Sequence, residues 1–247
     1  MGFSGEDGSP VFADLLQRLQ DTEGYEPLFT DVFGNGVVTE ERMQLALAQF
    51  IRSMQSFDSK YDVGRASSSN DNVAFANFSA LENEGKRLFL QRPDFDNGIR
   101  VAGTGLGCNG CHRAPAFDID PRSRNNGVIG VAGNALAIDT SNTRSPSLRD
   151  VFNPAGQENG PFMHDGSLAT FADVIEHYNA INHDQLLNPN LDNRLRGNAA
   201  GGRGEAMSGQ RLQMTQAERE ALTAFMKTLT GSAVYTDARW ADPFVSE

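Results

Sequence analysis

Two cysteines three positions apart, followed at once by a histidine, make residues 108–112, CNGCH, the densest chemistry in a chain of 247 residues, and they use up both of its cysteines. Three chemistries fit such a group. A c-type haem takes two thiols at this spacing onto its two vinyl groups, with the adjacent histidine as an iron ligand on the same side. A structural zinc site needs two more ligands, and His164, His177 and His183 complete no familiar zinc spacing. A redox dithiol usually follows a strand and opens a helix, a context that GTGLG before Cys108 does not supply. The motif favours one covalent haem c on Cys108, Cys111 and His112, with zinc and a dithiol as the competing readings.

An iron held by His112 has a second axial position. Met163 is the candidate, because it lies in the turn-rich segment GPFMHDG rather than on a helical stripe, where glycine and proline can fix a sharp chain path. A thioether there would favour ferrous iron and raise the potential. Met207 and Met214 are weaker alternatives. His164 suits the HDG turn, and His177 and His183 look ordinary. Arg144 and Arg149 suit haem propionates, since a guanidinium matches a carboxylate in bidentate fashion, and exposed ion pairs suit them equally. Phe117, Val128, Ile129, Val131, Leu136 and Ile138 are candidate pocket walls, and Trp240 is an anchor for the tail.

The elements that must position these residues read as helices. Ser9 and Pro10 open one over 10–20, and another spans 39–57 with Met43, Leu47, Phe50 and Met54 on a stripe that suits core packing. Capping pairs Ser79/Glu82 and Thr215/Glu218, with Thr170 as a further cap, start three more. Residues 64–78, rich in Ser and Asn, read as a loop or hinge, and 198–209 as a flexible excursion. From Pro93 to Gly166 the chain is dense in Gly, Asn, Asp and Pro, and little strand signal appears. A formal charge of -11 repels phosphate and excludes nucleic acid as a partner class. No apolar run approaches the ~18 residues of a membrane span, and MGFSGEDGSP lacks the basic and apolar regions of a signal peptide.

Six stretches, in order, extend the motif: QLALAQFIRSMQSFDSKYD, ENEGKRLF, CNGCH, TRSPSLRDVF, GPFMHDGSLATFADVIEHYN and LTAFMKTLTG. Together they resemble the bacterial di-haem cytochrome c peroxidases, including the MauG-like branch, and correspond to the second haem domain with the linking helices before it. The resemblance implies an all-α, cytochrome c-like haem domain at 79–247, linking helices at 1–63, and the 64–78 hinge between them. It implies a periplasmic protein whose haem at His112 takes electrons from a small redox protein for peroxide reduction to water. A stand-alone mono-haem carrier and a MauG-like oxidase of a protein side chain are the alternatives. Calcium enters by resemblance only. The first haem domain is absent from the sequence, and apolar surface on the linking helices would let the chain bind that half or pair as a homodimer. One departure concerns the ligand that many members place four or five residues before the proline of PSLR: here those positions hold Asn142 and Ser141, which leaves Met163 as the substitute.

Overall fold

The computed structural model describes residues 11–141, 144–182, 184, 186–197, 209–242 and 244, without the Ile119 side chain. Ser9, Pro10, Asn142, His183, Met207 and nearly all of the 198–209 excursion lie outside these residues. The chain divides into two compact units, one of residues up to Gln55 with those from Thr236 onward, the other Ser56–Tyr235.

In the first unit, α1 (Phe12–Asp21), α2 (Tyr25–Phe33) and α3 (Glu40–Ser53) follow one another closely. Gly24 and Gly34 bound α2 in left-handed backbone, with φ of 98° and 83°, a region open to glycine at little cost. The Gln20 amide ties the turn before α3, donating to Gly36 O at 3.0 Å and accepting from the Val38 N–H at 2.9 Å. Thr39 caps α3. The stripe expected to enter a core does not: α3 has no buried residue, and Leu47, Phe50 and Met54 are exposed. Trp240 donates its indole N–H to Ser53 Oγ at 3.0 Å, which anchors the tail.

The second unit is built on α5 (Ala80–Leu90) crossing α7 (Gln216–Lys227), with α4 (Lys60–Ala66) and α6 (Phe171–Asn179) beside them. Each starts from a complete capping box, Ser59/Asp62, Ser79/Glu82, Thr170/Asp173 and Thr215/Glu218, so the first orphan N–H groups are satisfied within the sequence itself. The crossing is close because Gly85 lies against the Ala221 backbone, where any side chain would collide. Around it, Tyr61, Phe75, Phe89, Phe117 and Phe225 form a core of edge-to-face and tilted rings. Residues 64–78, expected as a loop or hinge, carry Phe75 and Phe78 into that core.

The all-α expectation is overturned. The glycine-rich middle of the chain forms three two-stranded antiparallel sheets: β1 (Phe95–Asp96) with β2 (Ile99–Arg100), β3 (His112–Arg113) with β4 (Asp118–Ile119), and β5 (Gly130–Val131) with β6 (Asn134–Ile138). The reason is turn chemistry. Asn97 and Gly98 both have positive φ, 49° and 80°, the two-residue hairpin geometry that an Asn-Gly pair favours. The fold is helical with small hairpins, and its cytochrome c-like character is not part of what the architecture establishes. No helix among the described residues is long and apolar enough to cross a membrane.

Candidate functional site

The CNGCH turn is delivered by the end of α5. The last carbonyls of that helix are taken by the segment leading into the turn, Leu106 N–H to Leu88 O at 2.7 Å and Gly107 N–H to Gln91 O at 2.9 Å. Gly107 then turns left-handed with φ 78°, and Cys108–Gly110 form a single tight helical turn that brings the second cysteine back over the first: the Cys111 N–H donates to Cys108 O at 3.1 Å. Both thiols are free and half-buried, and Cys108 packs on the aromatic core. Burial pushes the Cys108 thiol up to about 12, and burial likewise raises Cys111.

His112 opens β3, and the loop that returns through Pro115 and Phe117 to β4 holds it. Its Nδ1 lies 3.0 Å from Pro146 O. A carbonyl only accepts, so Nδ1 carries the proton and Nε2 keeps its lone pair. Burial lowers the imidazole to about 4, against the opposing pull of the Pro146 carbonyl. At neutral pH the ring is an uncharged ligand of fixed tautomer, the state a metal-binding histidine needs.

Met163 sits in left-handed backbone, φ 70°, in a tight loop closed by the Gly166 N–H on Met163 O and by Phe162–Leu168 pairing. Such a conformation costs a non-glycine residue on the order of 1–2 kcal/mol. The Met163 Sδ accepts from Asn126 Nδ2 at 3.4 Å, and Tyr178 Oη stands 3.5 Å from the same nitrogen. Tyr178, near the end of α6, is a site residue that sequence reasoning missed. Burial raises its phenol to about 12, and it lies close enough to Cys111 and Cys108 to feel both thiols. The available signal was a tyrosine on the buried stripe of a helix, whose hydroxyl must find a partner.

Other candidates fall elsewhere. Arg149 is not free for a propionate: it forks onto Asp62 at 2.8 Å from both Nη atoms and donates to Pro115 O at 2.7 Å. Arg144 is exposed. His164 leaves its own turn and donates from Nε2 to Gly130 O in β5 at 3.0 Å, and His177 Nε2 donates to Asn126 O at 2.9 Å. Met214 is core. Of the expected pocket walls, Phe117 and Val128 are buried, whereas Leu136, in the middle of β6, is 94% exposed.

The donor set fits a c-type haem: two protonated thiols in one turn, a neutral imidazole with a free Nε2, and apolar rings behind them. Among the described residues, no three His, Cys, Asp or Glu side chains gather as a metal cage, so the further ligands that zinc requires are not assembled there.

A family model for di-haem cytochrome c peroxidase matches residues 5–69, ahead of the CNGCH turn. The methylamine utilization protein MauG of Methylophilus methylotrophus is 27% identical over 232 residues, which cover 92% of this chain and 58% of that protein. The protein of the same name from Methylorubrum extorquens is 26% identical over 223 residues, 87% of this chain and 52% of that one. The chain thus spans little more than half the length of these relatives. A crystal structure of a MauG-like protein associated with microbial copper homeostasis superposes with a TM-score of 0.60 at 23% identity, over 98% of this chain and 70% of that one, and shares its fold. The matched family model, the two MauG relatives and the ordered motifs are all likenesses to the di-haem cytochrome c peroxidase and MauG-like proteins.

Proposed function

We propose that this chain carries one covalent haem c and serves as the electron-entry domain of a periplasmic di-haem peroxidase that reduces hydrogen peroxide to water, with a small redox protein as donor. The observation that carries the reading is the pairing of His112 Nδ1 with Pro146 O beside two free thiols in one turn. Cys108 and Cys111 would hold the group as thioethers and His112 Nε2 would hold its iron. A bound haem supplies reversible one-electron chemistry at that point. The protein's part would be to fix the imidazole through Pro146, to exclude water with Phe117 and its neighbours, and to offer the iron a further side chain.

Met163 and Tyr178 are the two candidates for that role, since Met163 Sδ and Tyr178 Oη meet on Asn126 Nδ2 at 3.4 and 3.5 Å. A filled coordination shell keeps peroxide off the iron and suits a relay. The first haem domain, carried by another part of the intact protein, would be the place of peroxide chemistry. The MauG names of the relatives favour a second reading, an oxidase that acts on a protein side chain. Assays of the intact protein with peroxide and a reduced cytochrome, against peroxide and a protein substrate, separate the two.

The experiment for the haem itself is expression with haem-maturation machinery and an export leader. A red protein whose colour survives denaturation is expected, and Cys108→Ala with Cys111→Ala should abolish the linkage. A folded but colourless wild-type protein would overturn the reading.

A further inference from the structure

Behind the thiol turn lies an ion cluster that none of the roles above uses. Arg194 Nη1 donates to Gly110 O, a carbonyl inside the CNGCH turn itself, and to Asp120 Oδ2 at 2.5 Å. Its Nε and Nη2 fork onto Asp192 at 2.9 and 2.7 Å. The carboxylates are almost sealed, with side-chain exposures of 3% for Asp120 and 5% for Asp192, while Arg194 keeps 36%. The grip on the turn is double, because the Asp120 N–H donates to Cys111 O at 3.1 Å. Asp192 also accepts from the Arg124 N–H at 2.8 Å, which ties the short turn at Asn193–Leu195 to the loop after β4.

A sealed ion cluster is a poor source of stability, since desolvation offsets most of the attraction between its members. Its position suggests another use. Arg122 Nε also stands 3.7 Å from Asp120 Oδ1, so two guanidiniums meet two nearly sealed carboxylates beside Cys111. Charges in that setting act on a neighbouring redox centre more strongly than surface charges do.

We infer that Arg194, with Asp120 and Asp192, is a positioning cluster that fixes the haem-attachment turn by its backbone and sets the reduction potential of the group bound there. This rests on the haem reading proposed above. The sign follows from electrostatics. A positive charge near iron favours the ferrous state and raises the potential, and a negative charge lowers it.

The test is redox titration of the haem-loaded chain as wild type, Arg194→Gln, Arg194→Lys and Asp120→Asn. Arg194→Gln should shift the midpoint potential down, Asp120→Asn should shift it up, and Arg194→Lys should stay close to wild type. Opening the site to water would move the two neutralising variants in the same direction, so opposite signs separate a charge effect from a merely structural one. If Arg194→Gln fails to fold, Arg122→Gln, at the exposed guanidinium 3.7 Å from Asp120, replaces it and should move the potential down, opposite to Asp120→Asn. A wild-type protein without covalent haem overturns both this inference and the haem reading. A haem-loaded wild type whose variants share one direction of shift, or do not move, overturns the inference alone.

Discussion

Met163 Sδ and Tyr178 Oη meet on one nitrogen, Asn126 Nδ2, at 3.4 and 3.5 Å. A loop in left-handed backbone presents the first, and the last turn of a helix presents the second. The two side chains therefore belong to one small polar junction, and a change at either is felt by the other through the shared amide.

The haem-loaded chain distinguishes them. Tyr178→Phe should alter the ferric spectrum and open the iron to cyanide, while Met163→Ala should leave both nearly unchanged. The reverse result, with loss of a weak long-wavelength sulfur-to-iron band and a lower potential in Met163→Ala, would return the position to the thioether. Absorption spectra with and without cyanide decide it.

Lys86 gives a pH-dependent expectation. Its Nζ donates to Val73 O at 2.5 Å and stands 3.2 Å from the centre of the Phe75 ring, and burial lowers it from 10.5 to about 8, against the upward pull of Asp71. The folded chain then binds fewer protons than the unfolded one between pH 8 and 10.5, so this group's contribution to stability rises with pH across that window and is least below it. Lys86→Met should stabilise the protein at pH 7 by about 1–3 kcal/mol, with the gain shrinking above pH 8. Urea unfolding at pH 7 and pH 9.5 measures it, and a gain that grows with pH would refute the account.

At the crossing of α5 and α7, Gly85→Ala places a methyl group where the Ala221 backbone already lies. Overpacking of this kind costs about 1–3 kcal/mol, and the two helices share the core that supports the thiol turn. Chemical denaturation should show the loss, with haem attachment in the folded fraction retained.

The β1–β2 hairpin offers a milder case. Gly98 has φ 80° with open space around its α-carbon, so Gly98→Ala meets no neighbour and pays only for its backbone conformation, about 1–2 kcal/mol. Asn97, also left-handed, should accept glycine with little change. Thermal unfolding of the two variants compares them.

What was legible in the sequence follows from how local each signal is. The Ser79/Glu82 and Thr215/Glu218 capping boxes fix helix starts within four residues, and both are present with their reciprocal bonds. The hairpins were missed because strands of two residues are too short to show alternation, although Asn97-Gly98 carried the turn signal. The partner of Arg149 could not be read, since Asp62 lies 87 residues away along the chain. Tyr178 looked like one more apolar position on the face of Phe171, Val174 and Ile175. Only contacts distant in sequence, such as the Asn126 amide on its hydroxyl, separate a core tyrosine from a site tyrosine. Likewise the stripe on α3 has helical spacing, but spacing does not say what a face meets.

The half-buried seat of Cys108 against the aromatic core has a consequence for biogenesis. Two thiols must reach the vinyl groups of a rigid macrocycle before thioethers can form, and in the closed chain Cys108 is turned toward Phe rings and kept protonated. Folding and loading are thus competing events in time. A chain that closes empty should acquire the group only as fast as it reopens, so the cell's window for making this protein lies between its emergence as an extended polypeptide and the docking of α5 onto α7.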